Sequence, residues 1–144
     1  MIMPDRITKQ QRSANMRAIK GKDTSLEIQV RKYLYHHGFR YRKNVKELPG
    51  KPDIVLDKYH TVIFVNGCFW HHHYNCKLAV IPKSRTEYWT KKINKNVEND
   101  IKNTKLLEQM DYQVITIWEC EIKEAFEDVM QNVMDEIKNW DDDL

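Results

Sequence analysis

Two adjoining stretches decide the predicted fold: Thr61-Val-Ile-Phe-Val-Asn66 and Gly67-Cys-Phe-Trp-His-His-His-Tyr-Asn-Cys76. The first is apolar and has the length that is typical of a buried strand. The second opens a segment, residues 67–85, that has no periodicity and is dense in histidine, cysteine and aromatic residues. Because so long a loop is uncommon in a compact domain, we expect it to be functional or held in place by something that it binds.

The residues before these stretches predict a helix and two strands. Thr24-Ser-Leu-Glu27 is a capping box, apolar residues follow it at helical spacing, and Gly38 ends the helix. Residues 39–45 alternate aromatic and basic side chains, as an exposed or half-buried strand does. After the turn at residues 48–52, a short run at residues 53–56 is predicted to form a hairpin with residues 61–66.

The residues after the loop predict two helices and a strand. Ser84-Arg-Thr-Glu87 is a second capping box, and one helical face follows it, formed by Trp89, Ile93, Val97 and Ile101. Residues 112–118 form a strand, and a final helix carries an apolar stripe of Ile122, Phe126, Val129, Val133 and Ile137. This order predicts an α/β fold, with a mixed sheet and helices on both of its faces.

The composition bounds the class of protein. A chain of 144 residues, 41% hydrophobic and 31% charged, is typical of a single globular domain with one core. No apolar run approaches the ~20 residues of a membrane span, and the polar N-terminus lacks a signal-peptide pattern, so we expect no membrane association and a cytoplasmic location. Three cysteines are an odd number, which favours metal binding or catalysis over disulfides.

The charge is unevenly distributed along the chain. Residues 1–52 carry 13 Lys and Arg against 4 Asp and Glu, whereas residues 121–144 carry 2 against 9. A basic first part suits a partner with a phosphate backbone, although an ordinary solvated surface gives the same pattern. We predict a basic DNA-contacting arm at residues 1–22 and an acidic tail at residues 141–144.

The cysteines and histidines of the loop predict a zinc site. Cys68, Cys76 and Cys120 supply three thiolates, and one histidine of the run 71–73 completes a Cys3His set, which suits tetrahedral Zn²⁺. His73 is the first choice for the fourth ligand. Since the third cysteine follows the last predicted strand, the metal would tie the loop to the sheet. The alternative is three buried core cysteines beside a surface histidine run.

Two weaker signals accompany the zinc pattern. Pro52-Asp53 begins a strand after a turn, where restriction-enzyme-like nucleases place an Asp that binds Mg²⁺, but an ordinary turn residue gives the same pattern. Phe69, Trp70 and Trp89 are aromatic residues that could wedge between DNA bases, with core packing as the alternative.

Four stretches together resemble the Vsr family, the bacterial very-short-patch-repair DNA mismatch endonucleases. They are Asn15-Met-Arg-Ala-Ile19, Leu48-Pro-Gly-Lys-Pro-Asp53, Gly67-Cys-Phe-Trp-His-His-His73 and Trp118-Glu-Cys120. The similarity covers nearly the whole chain. It implies an endonuclease domain at residues 23–140 with a restriction-endonuclease-like core, a mixed sheet flanked by helices, and a structural zinc site.

The resemblance also implies an activity and its residues. Such an enzyme cuts duplex DNA on the 5′ side of the T in a T:G mismatch, with Mg²⁺ as the catalytic metal and Zn²⁺ as the structural one. The implied catalytic residues are Asp53, His71, Glu27 and Asp100. The implied Mg²⁺ ligands are Asp53 and the backbone carbonyl of Val65. The implied Zn²⁺ ligands are Cys68, His73, Cys76 and Cys120. The implied DNA contacts are Met16, Phe69, Trp70 and Trp89.

Two departures and two rival functions stay open. The family usually has His where this chain has Asn66, and it often has one residue fewer between the last His and the second zinc cysteine, so that His72 could replace His73. One rival is a zinc-stabilised DNA-binding module without catalysis. The other is a restriction-type endonuclease, which requires a dimer. No dimerisation helix is evident in the sequence, so we expect a monomer on DNA.

Overall fold

The computed structural model describes residues 24–139. The predicted arm at residues 1–22, with Met16, lies outside the described residues, as does the acidic tail. The helices are α1 (Ser25–His36), α2 (Thr86–Gln109) and α3 (Glu119–Asn139). The strands are β1 (Arg42–Lys43), β2 (Ile54–Leu56), β3 (Thr61–Asn66) and β4 (Gln113–Trp118).

The four strands form one mixed sheet in the order β1-β2-β3-β4. β1 pairs antiparallel with β2, and β2 pairs antiparallel with β3 across the turn Asp57–Tyr59, which confirms the predicted hairpin. β3 and β4 run parallel, with Thr61 opposite Gln113 and Asn66 opposite Trp118. Parallel neighbours need a crossover connection, and here it contains the loop and α2.

Both faces of the sheet are covered, so its central strands are apolar on both sides. On one face, strand residues such as Ile63 and Ile117 pack in the main cluster with Leu34 of α1 and Met130 of α3. On the other face, strand residues pack in a second cluster around Leu107 of α2. Successive strand side chains point to opposite faces, which accounts for the two clusters. The predicted fold class, an α/β mixed sheet flanked by helices, is confirmed.

The start of α1 follows the prediction. Thr24 precedes the helix in an extended conformation, and its hydroxyl oxygen accepts a hydrogen bond from the Glu27 backbone N–H at 3.2 Å. At the other end the chain leaves the helix through His37 and Gly38, whose φ of +90° favours glycine.

Three local predictions were wrong. The strand expected over residues 39–45 is reduced to two residues, because Phe39 and Val45 pack into the two different clusters and cannot share one strand face. The second capping box does not form: Arg85 precedes α2 in a left-handed conformation without a side-chain cap. Ile101 is 53% exposed, because it lies about 80° around the helix from the buried Ile93.

The last helix has an interruption. The backbone of Ala125 is non-helical, with φ −149° and ψ 53°, so α3 consists of two helical parts joined by a kink. The predicted apolar stripe of α3 still faces the sheet, with Ile122, Val133 and Ile137 buried in the main cluster. Within the described part of the chain, no helix combines the length and the apolar character needed to cross a membrane.

Candidate active site and metal centre

Asp53 lies at the entry of β2 and reaches across to the neighbouring strand. Gly50 and Lys51 take positive φ values of 75° and 51°, and the Lys51 N–H donates to the Leu48 carbonyl at 3.0 Å, which forms the tight turn before the strand. The Asp53 carboxylate oxygen Oδ2 accepts a hydrogen bond from the Val65 backbone N–H at 2.7 Å. The structure therefore brings together two residues of the predicted magnesium site.

The pKa of Asp53 is strongly perturbed. The pKa is raised from 3.8 to about 7, chiefly by burial and also by the neighbouring Glu27 carboxylate, whereas the Val65 N–H, His71 and Arg31 lower it. The raised pKa means that the ionised carboxylate of Asp53 is poorly stabilised by its surroundings. A divalent cation would stabilise it, and carboxylate and carbonyl oxygens are the ligands that Mg²⁺ prefers, so the residues fit that ion.

Glu27 contributes to the same charged group from α1. It is only 3% exposed, and one helical turn later Arg31 is 7% exposed, with its Nη1 atom 3.8 Å from Glu27 Oε2. Burial of such residues is rare unless they are paired. Glu27 was among the predicted catalytic residues and Arg31 was not, although the four-residue spacing of these opposite charges indicates a pair.

His71 and Asp100 form a hydrogen-bonded pair. The Nδ1 atom of His71 lies 2.6 Å from Oδ2 of Asp100, which projects from the middle of α2. The backbone N–H of His71 also donates to the Gly67 carbonyl at 3.2 Å. A carboxylate at Nδ1 fixes the tautomer of the ring and leaves Nε2 to accept or donate a proton. The pair thus brings together two predicted catalytic residues that lie 29 positions apart.

The second constellation is a group of metal-ligand side chains. The potential ligand atoms of Cys68, His73, Cys76 and Cys120 all lie within 4.8 Å of one another. His73 Nδ1 is 3.6 Å from the Cys68 sulfur and 3.3 Å from the Cys120 sulfur. These separations suit a tetrahedral ion with sulfur ligands at ~2.3 Å and nitrogen at ~2.0 Å. The structure places His73 in this group, whereas His72 is exposed.

The surroundings of this group orient its members. The Trp118 ring stacks on His73 at 4.1 Å and 7°, and the Cys68 backbone N–H donates to the Glu119 carboxylate at 3.2 Å. Burial raises the pKa of the Cys68 thiol to about 12 and also raises that of Cys120. A thiolate-binding cation would reverse this, since it displaces the thiol protons. All three cysteines are free, so they remain open to a metal.

The predicted DNA-contacting aromatic residues form one cluster. Phe69, Trp70 and Trp89 meet edge to face, with ring centroids 5.2, 5.5 and 5.9 Å apart. The Asn96 side chain donates to the Trp70 backbone carbonyl at 2.9 Å, which fixes the loop against α2. All three rings are half-buried, so each packs against its neighbours and stays partly accessible to solvent. A fourth ring, Tyr88, was not predicted to belong to this cluster; it is 46% exposed, and its ring centroid lies 5.1 Å from that of Trp89.

Comparison with known proteins agrees with this arrangement. A family model described as DNA mismatch endonuclease Vsr matches residues 4–78, which include Asp53, the loop aromatics and three of the four metal-ligand residues. This chain belongs to the Vsr family.

Similar proteins extend the match beyond that model. The DNA mismatch endonuclease Vsr of Escherichia coli is 39% identical over 138 residues, which cover 96% of this chain and 88% of that protein. The type II nicking enzyme V.NmeAIP of Neisseria meningitidis is 53% identical over 121 residues, 84% of this chain and 86% of that enzyme. The type II nicking enzyme V.XorIIP of Xanthomonas oryzae is 38% identical over 135 residues.

Family membership confirms the predicted activity at one level. The protein is a DNA mismatch endonuclease, a hydrolase that acts on DNA, with a restriction-endonuclease-like mixed sheet and a cysteine and histidine cluster that could hold a metal ion. The predicted mismatch, the two metals and the roles of individual residues remain predictions.

Proposed function

We propose that this protein nicks duplex DNA on the 5′ side of the T in a T:G mismatch and uses Mg²⁺ to do so. The observation that carries the proposal is the position of Asp53, whose carboxylate is hydrogen-bonded to β3 at Val65 and interacts electrostatically with Glu27 and His71. A metal-binding carboxylate beside a histidine that can move a proton is the minimum that phosphodiester hydrolysis needs.

Mg²⁺ would be held by Asp53 together with the backbone carbonyl of Val65. When bound there, the ion neutralises the charge that develops on the phosphate during hydrolysis. Two other groups support this binding position. The Val65 N–H fixes one carboxylate oxygen of Asp53, and the buried Glu27 adds negative charge nearby.

His71 would carry the proton of the reaction through its Nε2 atom. Asp100, bonded to Nδ1 at 2.6 Å, orients the ring and stabilises the charged imidazolium when it forms. Asn66, at the end of β3, is buried and can form hydrogen bonds but cannot exchange a proton near neutral pH. Proton transfer would therefore rest on His71 in this chain.

Zn²⁺ would hold the loop in place through Cys68, His73, Cys76 and Cys120. Three of these ligands come from the loop, and the fourth lies at the start of α3, directly after β4. A metal here links the loop to the sheet and so fixes His71, which lies between the first two of the loop ligands.

DNA would be engaged from two sides by a single copy of the chain. The cluster of Phe69, Trp70 and Trp89 would wedge between bases at the mismatch, where a wobble pair is cheaper to open than a matched pair. The basic arm at residues 1–22, including Met16, would reach the opposite groove, while residues 23–140 form the endonuclease domain.

A strand-resolved cleavage assay tests the proposal. Duplexes labelled on each strand and carrying T:G, T:A or C:G at one position are incubated with the protein and Mg²⁺. We expect a single cut, 5′ of the T, in the T:G duplex alone. Binding without cleavage would favour the DNA-binding module, and cleavage of both strands would favour a restriction-type endonuclease. Either result would contradict the proposal, and analytical ultracentrifugation of the complex would test the predicted monomer.

A further inference from the structure

The positively charged side chain of Arg85 lies next to the aromatic cluster, in contact with Tyr88. The guanidinium carbon of Arg85 sits 4.4 Å from the centroid of the Tyr88 ring, in a cation–π contact. The Tyr88 ring in turn meets Trp89 edge to face at 5.1 Å. Arg85 therefore extends the row of rings by one positively charged member, and neither residue was among the predicted DNA contacts.

The backbone conformation fixes the position from which the Arg85 side chain extends. Arg85 adopts a left-handed conformation, φ 56° and ψ 40°, directly before the first residue of α2. The next residue, Thr86, donates its hydroxyl to the backbone carbonyls of Pro82 and Lys83, at 3.0 and 2.8 Å. The Arg85 side chain thus leaves from a defined point, while both it and Tyr88 stay exposed.

The reach of this side chain matches the dimensions of DNA. The two contact distances place the guanidinium carbon within about 10 Å of the Trp89 ring centroid. The grooves of DNA are roughly 6 Å and 12 Å wide, with phosphates on both rims. A cation so close to a ring inserted among the bases therefore comes within reach of the flanking phosphates. Residues 83–92 also carry exposed lysines at positions 83, 91 and 92, and Glu87 is the one acidic residue in this stretch.

We propose that Arg85 binds a DNA phosphate beside the aromatic cluster and that Tyr88 is the residue that positions it. A guanidinium is suited to this because its planar donors match phosphate oxygens and its face stacks on an aromatic ring. Stacking on Tyr88 limits the freedom that the side chain loses on binding. The inference rests on the proposed function, since it takes the neighbouring cluster as the part that inserts.

The test compares affinity and its salt dependence for a labelled T:G duplex, measured by fluorescence anisotropy without Mg²⁺ in the full-length chain. We expect Arg85→Gln to weaken binding ~5-fold and to make the slope of log affinity against log salt shallower by about 1. Arg85→Lys should keep the slope. Tyr88→Phe should behave as wild type, whereas Tyr88→Leu should lose affinity because it removes the aromatic face.

The chain offers a matched control. The guanidinium carbon of Arg40 lies 4.0 Å from the centroid of the Tyr35 ring, so the same two residue types form the same contact elsewhere in the chain. Arg40→Gln should leave affinity and salt slope unchanged. If Arg85→Gln matches the wild type, or if Arg40→Gln loses as much, the inference is overturned.

The two proposals fail in different ways. A phosphate contact carries no sequence information, so Arg85→Gln should keep the wild-type preference for T:G over T:A. If the wild type itself shows no such preference, the proposed function falls. If the preference is intact and only Arg85→Gln is without effect, the inference falls alone.

Discussion

Replacing Asp53 with Asn should stabilise the protein at alkaline pH in the absence of Mg²⁺. Burial raises the pKa of Asp53 from 3.8 to about 7 in the folded state. Because the folded chain holds this proton more tightly than the unfolded chain, wild-type stability falls as the pH rises from 3.8 to about 7. Asn carries no charge at any pH, and its amide oxygen can still accept the hydrogen bond from the Val65 N–H.

The magnitude follows from the two pKa values. A shift of one pKa unit corresponds to about 1.36 kcal/mol. Ionisation of a carboxyl group whose pKa moves from 3.8 to about 7 on folding therefore lowers the free energy of unfolding by roughly 4 kcal/mol. Solvent reaches part of this half-buried side chain, so we expect ~2 kcal/mol for Asp53→Asn at pH 8. In a domain of this size, that is an increase of ~6 °C in Tm.

Thermal unfolding at pH 5 and pH 8, without added Mg²⁺, measures the effect. The difference in Tm between Asp53→Asn and wild type should be larger at pH 8. Asp57→Asn is a control of opposite sign, because its bonds to Arg42 at 2.7 and 2.8 Å lower the pKa of Asp57, and its removal should not stabilise the protein. An Asp53→Asn variant less stable than wild type at pH 8 would refute the reasoning.

Three further results are expected. Removing zinc with a chelator should lower the Tm of the wild type by roughly 10 °C, whereas the Tm of Cys76→Ser should not change. Calorimetry with metal analysis measures both. Equal melting of the wild type with and without chelator would contradict the prediction. Asp100→Asn should lower the single-turnover nicking rate at least ~10-fold with unchanged DNA affinity, because the His71 ring loses its orienting carboxylate; an unchanged rate would exclude that role. Thr24→Ala should destabilise by ~1 kcal/mol in urea denaturation, through loss of the cap on α1, and Ser25→Ala is the control.

Much of the scaffold follows from local patterns in the sequence. The apolar runs on either side of residues 57–60 predict the hairpin, because both are buried on two faces and separated by a short polar turn. The grouping of Cys68 and Cys120 was also predictable, since few residue types bind zinc and the chain has only three cysteines.

Long-range partners were harder to predict. The bond between His71 and Asp100 depends on how α2 lies across the sheet, and no spacing in the sequence encodes that. Arg85 before α2 was mistaken for part of a capping box, because a left-handed conformation has no local sequence signature in a non-glycine residue. The burial of Arg31 near Asp53 was not predicted, because charged residues of an amphipathic helix usually face solvent and only the four-residue spacing from Glu27 indicated a pair.

The central claim is that Asp53 and His71 serve one hydrolytic site, and single-turnover nicking of one T:G duplex tests it most directly. Rate constants for wild type, Asp53→Ala and His71→Ala are compared at saturating protein, with DNA affinity measured in parallel. We predict that both variants bind the duplex, that Asp53→Ala loses at least ~10³-fold in rate, and that His71→Ala loses ~10²–10⁴-fold. An Asp53→Ala protein that cuts the T strand as fast as wild type would contradict the claim.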